Sequence, residues 1–441
     1  MLFKKIILLL LFLSVLVTAK AQQQDSVLTL QQCVDLALKN NLDVKKSATQ
    51  LERERISRNQ ARENLLPSLN GYVQQSRSYG RSQDPTTYNY VNQRIDYGQY
   101  SLSSNVTLFN GLNLVNSIKQ NSLLYQAGKM DFQQIKDLTT LNIIALYLQE
   151  LNSEDQLTQS TLQFDASKTN LGRVSNLNAA GSIQPADYLN IKGTHDNDAL
   201  SVINAKNAVT TAKLNLLEAM NVPFTTNIKL ARLAADQMPS EYDLTPNEIY
   251  ATALGSFAVV KAADLRVKAA QKEVAAARGK LYPTLSLGTG ISTNYSSTAS
   301  TGFFNQFRNN YSYGPSLTLQ IPILNYFQNR NNLSRAKVDL EDARNVNSST
   351  QIQLKQQISQ AYSNMTTAYD RYRVLLEQVE AYKEAYRVTQ VKFDSGVVTA
   401  DIFVIAKQNM DAANTNLINA RYDYITRIKI LDYYQGKLSS L

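Results

Sequence analysis

The chain has 441 residues, a formal net charge of +9 at pH 7, one histidine and one cysteine. A single histidine, His195, excludes a histidine-based metal cluster, and a single cysteine, Cys33, excludes thiolate sites and an internal disulfide. No stretch concentrates the positive charge, which argues against nucleic acid as a partner. The carboxylates show no obvious pair and no phosphate-binding glycine loop is present, so we expect neither an enzyme nor a cofactor. His195 is expected on a solvated helix face, and Cys33 as a small packed side chain.

The N-terminus has the pattern of a secretory signal. Lys4 and Lys5 precede an apolar run that ends at Val17, and Ala19-Lys20-Ala21 follows. This pattern predicts a signal peptide at 1–21 and a mature chain at 22–441. The alternative, an uncleaved anchor helix, is disfavoured because the apolar run is shorter than the roughly 20 residues of a membrane span.

The chain also contains an internal repeat. A shift of 216 positions, the separation of Pro67 and Pro283, aligns LTLQQCVDLALKNNLDVKK from Leu28 with LTPNEIYATALGSFAVVKA from Leu244. The same shift aligns LLPSL with LYPTL around the two prolines. The mature chain is therefore predicted to be one unit made of two structural repeats, about 28–221 and 244–437.

In each repeat, the sequence predicts a helix followed by two strands. The helix, of about 35 residues, ends near Pro67 or Pro283, because proline cannot continue a helix. In the strands, apolar and polar residues alternate with period two, which indicates one apolar and one polar face. A half-buried strand of a soluble sheet would show the same alternation. The apolar residues of the second strand are Tyr100, Leu102, Val106 and Leu108 in one repeat, and Tyr311, Tyr313, Leu317, Leu319, Ile321 and Ile323 in the other.

A long helical hairpin is predicted after the strands of each repeat, with a glycine, Gly181 or Gly396, at its turn. From Leu354 to Phe393, apolar residues recur in steps of four and three, which is typical of a coiled-coil seam. A structural rod would show the same seam. A helix from about Leu112 to Ala180 would extend roughly 100 Å at 1.5 Å per residue.

Four amphipathic strands cannot close a membrane barrel alone, because such barrels begin at about eight strands. Open strand edges are not tolerated in lipid, since their backbone groups would be unpaired. The sequence therefore predicts assembly, and a trimer would supply three times four strands. The predicted fold class is mainly α with membrane β. Duplicated helical hairpins would form a trimeric α-barrel continuous with a β-barrel of roughly 12 strands.

The chain resembles the TolC-like outer membrane efflux protein family over almost its whole mature length. The resemblance is carried by LLPSL and LYPTL, by LFNG and IPILN after the second strands, and by the run from Phe393 to Lys437. It implies a homotrimer in the outer membrane of a Gram-negative cell, extending into the periplasm. The implied function is the exit duct of a tripartite efflux pump or type I secretion system. The implied partners are outer membrane lipid, a periplasmic adaptor and an inner membrane transporter of proton-driven or ABC type.

The resemblance also implies that the periplasmic tip of the duct lies around Gly181 and Gly396. The acidic ring of the family follows the second tip glycine, and its two positions fall here on Ile402 and Ile405. Asp401 lies one residue before that register, so both ring carboxylates are missing from it.

Two further tip expectations come from the same resemblance. Asp187 lies six residues after Gly181 and is a candidate entrance carboxylate, although Asp187 and Asp401 would equally serve as helix caps. The family's tip tyrosine and arginine correspond to Phe393 and Val398, which predicts a hydrophobic closure in place of a polar network.

Two other classes of protein share some of these features. A periplasmic coiled-coil adaptor also has a signal peptide and a long hairpin, but it carries one hairpin flanked by small soluble β domains. A secreted structural fibre would not fractionate with membranes.

Overall fold

The computed structural model describes residues 27–83, 88–224, 228–232 and 242–438. The predicted signal peptide at 1–21 lies outside these residues. The helices are Leu30–Asn40 (α1), Leu42–Glu63 (α2), Asn113–Ala179 (α3), Pro185–Met220 (α4), Pro246–Ser256 (α5), Ala258–Gly279 (α6), Phe303–Asn309 (α7), Gln328–Asp394 (α8) and Ala400–Gln435 (α9). The strands are Val27–Leu28 (β1), Ser68–Ser78 (β2), Arg81–Gln83 (β3), Tyr90–Asn92 (β4), Ile95–Phe109 (β5), Lys229–Leu230 (β6), Thr284–Ser296 (β7) and Ser312–Gln320 (β8).

Helices at corresponding places in the two halves have equal lengths. The pair α1 and α5 has 11 residues each, and the pair α2 and α6 has 22. The pair α3 and α8 has 67 residues each, and the pair α4 and α9 has 36. The shift is 216 residues from Leu42 to Ala258 and 215 residues from Asn113 to Gln328. These equal lengths support two structural repeats.

The predicted single helix of about 35 residues before each proline is wrong, because each is broken into two. In the first half Asn41 leaves the helix with φ −56° and ψ 135°. Its side-chain oxygen accepts hydrogen bonds from the backbone N–H groups of Asp43 at 2.8 Å and Val44 at 3.3 Å. Such a local side-chain bond competes with the helical backbone bond. Phe257 occupies the corresponding break in the second half, with φ −69° and ψ 127°.

The described residues form two compact units. The hairpin unit comprises those within Met1–Lys45, Ile135–Tyr250 and Gln357–Leu441, and the sheet unit comprises those within Lys46–Gln134 and Ala251–Gln356.

The sheet unit contains a four-stranded antiparallel sheet with the order β2-β5-β7-β8. Residues that pair directly point to the same face, so the register assigns the two faces. The predicted alternation is confirmed. One face carries Leu69, Val73, Tyr100, Leu102, Val106, Leu287, Ile291, Tyr313, Leu317 and Leu319, and the other carries Ser68, Asn70, Gln74, Ser101, Ser103, Asn105, Ser286, Ser292, Ser316 and Thr318.

The short helix α7 packs on the apolar face of this sheet. The rings of Phe303 and Phe307 lie 6.0 and 5.6 Å from that of Tyr100. Gln306 holds the helix in place, since its side chain donates to the Ser296 carbonyl at 2.9 Å and accepts from the Ser296 N–H at 2.9 Å. Aromatic residues therefore cluster at the end of the sheet where β5 begins and β7 ends.

The hairpin unit has an apolar core where α1 meets α3 and α4. Cys33 is fully buried in this core, as expected, and burial raises the pKa of its thiol to about 12. The parallel pair β1-β6 closes one side, and the Tyr147 hydroxyl donates to the Ala231 carbonyl at 2.6 Å.

The predicted seam along α8 is confirmed by burial. Tyr372 stacks on Tyr424 of α9 with ring centroids 6.4 Å apart, so part of the seam faces α9. Among the described helices, no segment is both long and apolar enough to cross a membrane. The fully packed seam residues are Leu354, Ile358, Ala361, Met365, Ala368, Leu375 and Val379.

Candidate functional site

The two hairpin turns have the same backbone structure. Gly181 and Gly396 adopt left-handed φ angles of 69° and 71°, which glycine adopts without steric cost. In the first turn the Ser182 N–H donates to the Leu177 carbonyl at 2.8 Å, and in the second the Val397 N–H donates to the Lys392 carbonyl at 2.8 Å. These are the bonds of a glycine C-cap that ends a helix sharply. The turns were predicted at these glycines.

Side chains beside the turns form a small apolar cluster in the hairpin unit. Val174, Ile191, Ala400 and Phe403 are buried, and Phe393 stacks on Phe403 with centroids 4.8 Å apart. The predicted closure residue Phe393 is thus engaged in packing within its own chain.

A polar contact that the sequence did not indicate lies beside this cluster. Arg173 of α3 forms an ion pair with Asp394, and its guanidinium lies 5.4 Å from the centroid of the Phe393 ring. Residues from the ends of both long helices are therefore tied together by charge as well as by apolar packing. No local pattern marks Arg173, because its partner is more than 200 positions away.

The two tip carboxylates lie in the first turns of α4 and α9. Asp187 is half-buried in the first turn of α4. Asp401 is exposed, and a hydrogen bond with the Thr399 side chain, helped by backbone N–H groups, lowers the pKa of its carboxyl. A carboxylate in a first turn also interacts favourably with the helix dipole. Asp401 lies two residues after Thr399, the N-cap residue of α9.

Apolar side chains occupy the other predicted tip positions. Ile402 and Ile405, at the ring positions of the family, are exposed, and so is Val397. Val398 is half-buried in the turn. The structure thus places Asp401 and the exposed Ile402 in the same first turn of α9, with Ile405 in the next turn.

A buried ionic cluster links α4 to α9 in the hairpin unit. The Lys407 ammonium is 3% exposed and donates to Asp198 at 2.9 Å and to Asp411 at 2.5 Å. Burial alone would lower the pKa of Lys407, but the bonds and charges of the two carboxylates outweigh it and raise that pKa. Burial raises the pKa of the Asp411 carboxyl. The sequence shows no obvious carboxylate pair, whereas in the fold Asp198 and Asp411 share one buried cation.

A second buried carboxylate belongs to Glu150 of α3. It is fully buried, and the Lys213 ammonium lies 3.7 Å away, outside hydrogen-bond distance. Neither oxygen has a hydrogen-bond partner among the described residues. Burial raises the pKa of Glu150 to about 8.

Glu150→Gln is expected to change how stability depends on pH. The folded-state pKa of about 8 exceeds the ordinary value of 4.5, so folding favours the protonated carboxyl. This contribution is fully present below 4.5 and is lost as pH rises towards 8. The native protein should therefore lose thermal stability across that window, by up to about 1.4 kcal/mol per pH unit, and the variant should lose much less. Thermal unfolding in detergent measures this, and equal slopes for both proteins would contradict it.

His195 is not on a fully solvated face, in contrast to the expectation. Its ring is half-buried and stacks on Phe164 of α3 with centroids 4.9 Å apart, and its Nδ1 lies 3.4 Å from the Ser167 hydroxyl. It is a packing residue between two helices. The described residues contain no cluster of His, Cys, Asp or Glu that could hold a metal ion.

Pro67 and Pro283 lie where predicted, between a helix end and a strand start. Pro283 directly precedes β7, and three residues separate it from the end of α6. Pro67 has the same relation to β2 and α2. Beside Pro283 the chain crosses itself closely at Gly111 and Gly279. A Cβ atom built on Gly279 would lie 2.6 Å from the Gly111 carbonyl oxygen.

Comparison with known proteins gives the class of this fold. The CmeC outer membrane channel of Campylobacter jejuni superposes with a TM-score of 0.79 at 17% identity, covering 93% of this chain and 87% of that one. The MtrE outer membrane channel of Neisseria gonorrhoeae, in its open state, superposes with a TM-score of 0.77 at 18% identity, covering 93% and 89%. The fold is that of outer membrane channels.

The family model of the outer membrane efflux proteins matches residues 33–222 and 249–436, so the chain belongs to the outer membrane efflux protein family. An uncharacterized protein of Haemophilus influenzae is 22% identical over 428 residues, covering 90% of this chain and 84% of that protein. The predicted resemblance is confirmed. The protein is an outer membrane efflux channel that extends into the periplasm, and the adaptor alternative is not favoured.

Proposed function

We propose that three copies of this chain form one channel, with a barrel of 12 strands in the outer membrane. The observation that carries this proposal is the four-stranded sheet, whose edge strands β2 and β8 are open and whose faces are apolar and polar. Each strand of the sheet is antiparallel to its neighbour, and three such pairings lie between β2 and β8, so these two edge strands run in opposite directions. The β8 edge of one copy can therefore pair in antiparallel fashion with the β2 edge of the next. Two copies would give eight strands, whose interior is about filled by side chains, whereas three leave a wider polar lumen.

The repeat supplies a register for the contact between copies. Within the chain, β5 pairs with β7, and Ser104 lies opposite Thr289. The counterparts of these residues, 215 positions after Ser104 and 216 before Thr289, are Leu319 and Val73. Both belong to the apolar face, so the transferred register keeps the faces of neighbouring copies aligned. We therefore place Leu319 opposite Val73 of the neighbouring copy.

A cysteine pair tests this assembly. Leu319→Cys with Val73→Cys, in a Cys33→Ala background, should give disulfide-linked trimers in isolated outer membranes. Leu319→Cys with Gln74→Cys is the matched control, because Gln74 belongs to the opposite face. The detergent-corrected native mass should equal three chains. A particle of one chain would overturn the proposal, since it would leave both edges open in lipid.

The partners follow from this assembly and from family membership. We propose that the hairpin turns around Gly181 and Gly396 meet a periplasmic adaptor, which connects the duct to an inner membrane transporter of proton-driven or ABC type. Exposed apolar side chains beside the turns, Val397 and Leu189, support such a contact. Residues 22–441 would then be one channel unit of two repeats, about 28–221 and 244–437. Solutes would pass down the lumen, and the transporter would supply the energy.

We further propose that apolar side chains close the tip of the resting channel. Ile402 and Ile405 are exposed at the family's ring positions, and Val398 lies in the turn beside them. Asp187 and Asp401 stand on the first turns of the two helices that leave the tips.

Val398→Asp is expected to raise the single-channel conductance in planar bilayers. One carboxylate from each copy would meet at the constriction, where mutual repulsion and hydration oppose closure. Val397→Asp is the control, because it adds the same charge one residue away on an exposed side chain. Phe393→Asp is also expected to raise conductance, but it would disrupt the stack on Phe403 as well. Unchanged conductance in Val398→Asp would count against an apolar closure.

A further inference from the structure

A close glycine crossing fixes the junction between strand and helix inside the chain. After β5, Gly111 and Leu112 adopt left-handed φ angles of 62° and 63°, and α3 then begins. Gly111 lies against the end of α6, where a Cβ atom on Gly279 would clash with backbone atoms of residues 111 and 113. The Asn113 amide donates to the Ala276 carbonyl at 2.8 Å and ties the two segments together.

The second half has the same backbone at the corresponding place but different side chains. After β8, Tyr326 and Phe327 adopt φ angles of 54° and 57°, matching Gly111 and Leu112 at a shift of 215. Left-handed φ is rare for bulky residues and strained, so an aromatic pair here calls for a compensating contact.

Within the described chain, the Arg330 guanidinium lies 6.0 Å from the centroid of the Phe327 ring, but no comparable contact covers Tyr326. Tyr326 is 98% exposed, and Ile323 and Leu324 beside it are 92% and 75% exposed. These three residues follow the C-terminal end of the open edge strand β8 and precede α8. At the other open edge, Leu65 and Leu66 are exposed just before β2. Apolar patches of this kind mark interaction surfaces.

The internal repeat indicates which segment faces the exposed patch formed by Ile323, Leu324 and Tyr326. Inside the chain, Gly111 faces Gly279 and Tyr282. The counterparts of Gly279 and Tyr282, at a shift of 216, are Glu63 and Leu66, which lie on the opposite edge of the sheet. We propose that Tyr326 and Phe327 pack on Leu65 and Leu66 of a second copy of this chain, an inference that rests on the proposed trimer.

This contact cannot be a copy of the internal crossing. Tyr326 and Glu63 carry side chains where the internal crossing has two glycines, so the two backbones must lie farther apart. The residue that corresponds to Asn113 is Gln328, which has the same amide on a side chain one carbon longer. It can reach across the wider gap to the Gln60 carbonyl, the counterpart of that of Ala276. Around the trimer, a close glycine crossing inside each copy would thus alternate with a wider crossing, made by aromatic side chains, between neighbouring copies.

Two cysteine pairs distinguish the proposed junction contact from the formation of the trimer as such. Tyr326→Cys with Leu66→Cys should form disulfides between copies, as should the strand pair Leu319→Cys with Val73→Cys. Tyr326→Cys with Gln75→Cys is the control, because Gln75 lies far along β2 from the junction. Disulfides at the strand pair alone would overturn the junction and leave the trimer standing. Disulfides at neither pair would overturn both.

Tyr326→Gly provides a second, independent test. Glycine relieves the left-handed backbone strain. If Tyr326 acted only within its own chain, the variant should therefore be more stable than the native protein. If the ring packs on a second copy, the variant should instead dissociate at a protein concentration at least about tenfold higher than the native trimer, corresponding to about 1.4 kcal/mol. Detergent sizing across a dilution series measures this, and a variant trimer as tight as the native one would overturn the proposal.

Discussion

Gly279→Ala is expected to destabilise the sheet unit by about 3 kcal/mol or more, near the upper end of the cost of overpacking. The added Cβ would lie 2.6 Å from the Gly111 carbonyl oxygen and 3.0 Å from the Asn113 backbone nitrogen. Both neighbours are backbone atoms, so no side chain can rotate away. The junction between β5 and α3 would have to shift, and the hydrogen bond from Asn113 to Ala276 would be lost. Thermal unfolding of the detergent-purified protein measures the loss.

Gly172→Ala is the matched control for this prediction. Gly172 is also helical, but apart from its own helix backbone no atom of the described residues lies within 4 Å of the Cβ position that alanine would add. Alanine is favoured over glycine in an exposed helix by about 1 kcal/mol, so this variant should be slightly stabilised. If Gly279→Ala unfolded at the same temperature as Gly172→Ala, the close crossing would not be a constraint on the fold.

The elements that the sequence predicted are those that local periodicity determines. Strand faces follow from alternation, and the α8 seam follows from apolar steps of three and four, because both patterns express burial along a single element. The hairpin turns were found from Gly181 and Gly396, since a left-handed turn between helices favours glycine. Pro67 and Pro283 marked the two junctions for a similar local reason.

The features that the sequence missed depend on residues far apart in the chain. In the sequence, Lys407 resembles any exposed lysine of a helix. Its partner Asp198 lies on α4 and becomes a neighbour only when the helices pack. Arg173 and His195 likewise gain their partners only when helices pack. The break at Phe257 lacks the polar side chain that could have signalled the break at Asn41. Sequence position alone therefore predicted where the hairpin turns lie, but not which contacts stabilise the helix ends beside them.

Lys407→Met is expected to destabilise the hairpin unit by about 3–5 kcal/mol at neutral pH, the cost of removing one partner from a buried ion pair. Methionine fills a similar volume, so the loss comes from charge rather than from a cavity. Asp198 and Asp411 would remain buried, close together and without their shared cation. Lys268→Met is the control, because Lys268 and Asp264 form an exposed pair whose loss should cost less than about 1 kcal/mol.

The destabilisation of Lys407→Met should grow as pH rises. Burial already raises the pKa of the Asp411 carboxyl, and without the lysine nothing offsets that effect, so the folded state takes up a proton more readily than the unfolded state. The penalty is therefore small at low pH, where the buried carboxyls are protonated, and is complete once they are ionised. Adding Asp198→Asn and Asp411→Asn to Lys407→Met removes the buried charge and should restore most of the stability at high pH. If the triple variant unfolded as early as Lys407→Met, lost packing would explain the defect, and α4 and α9 would not be linked by charge.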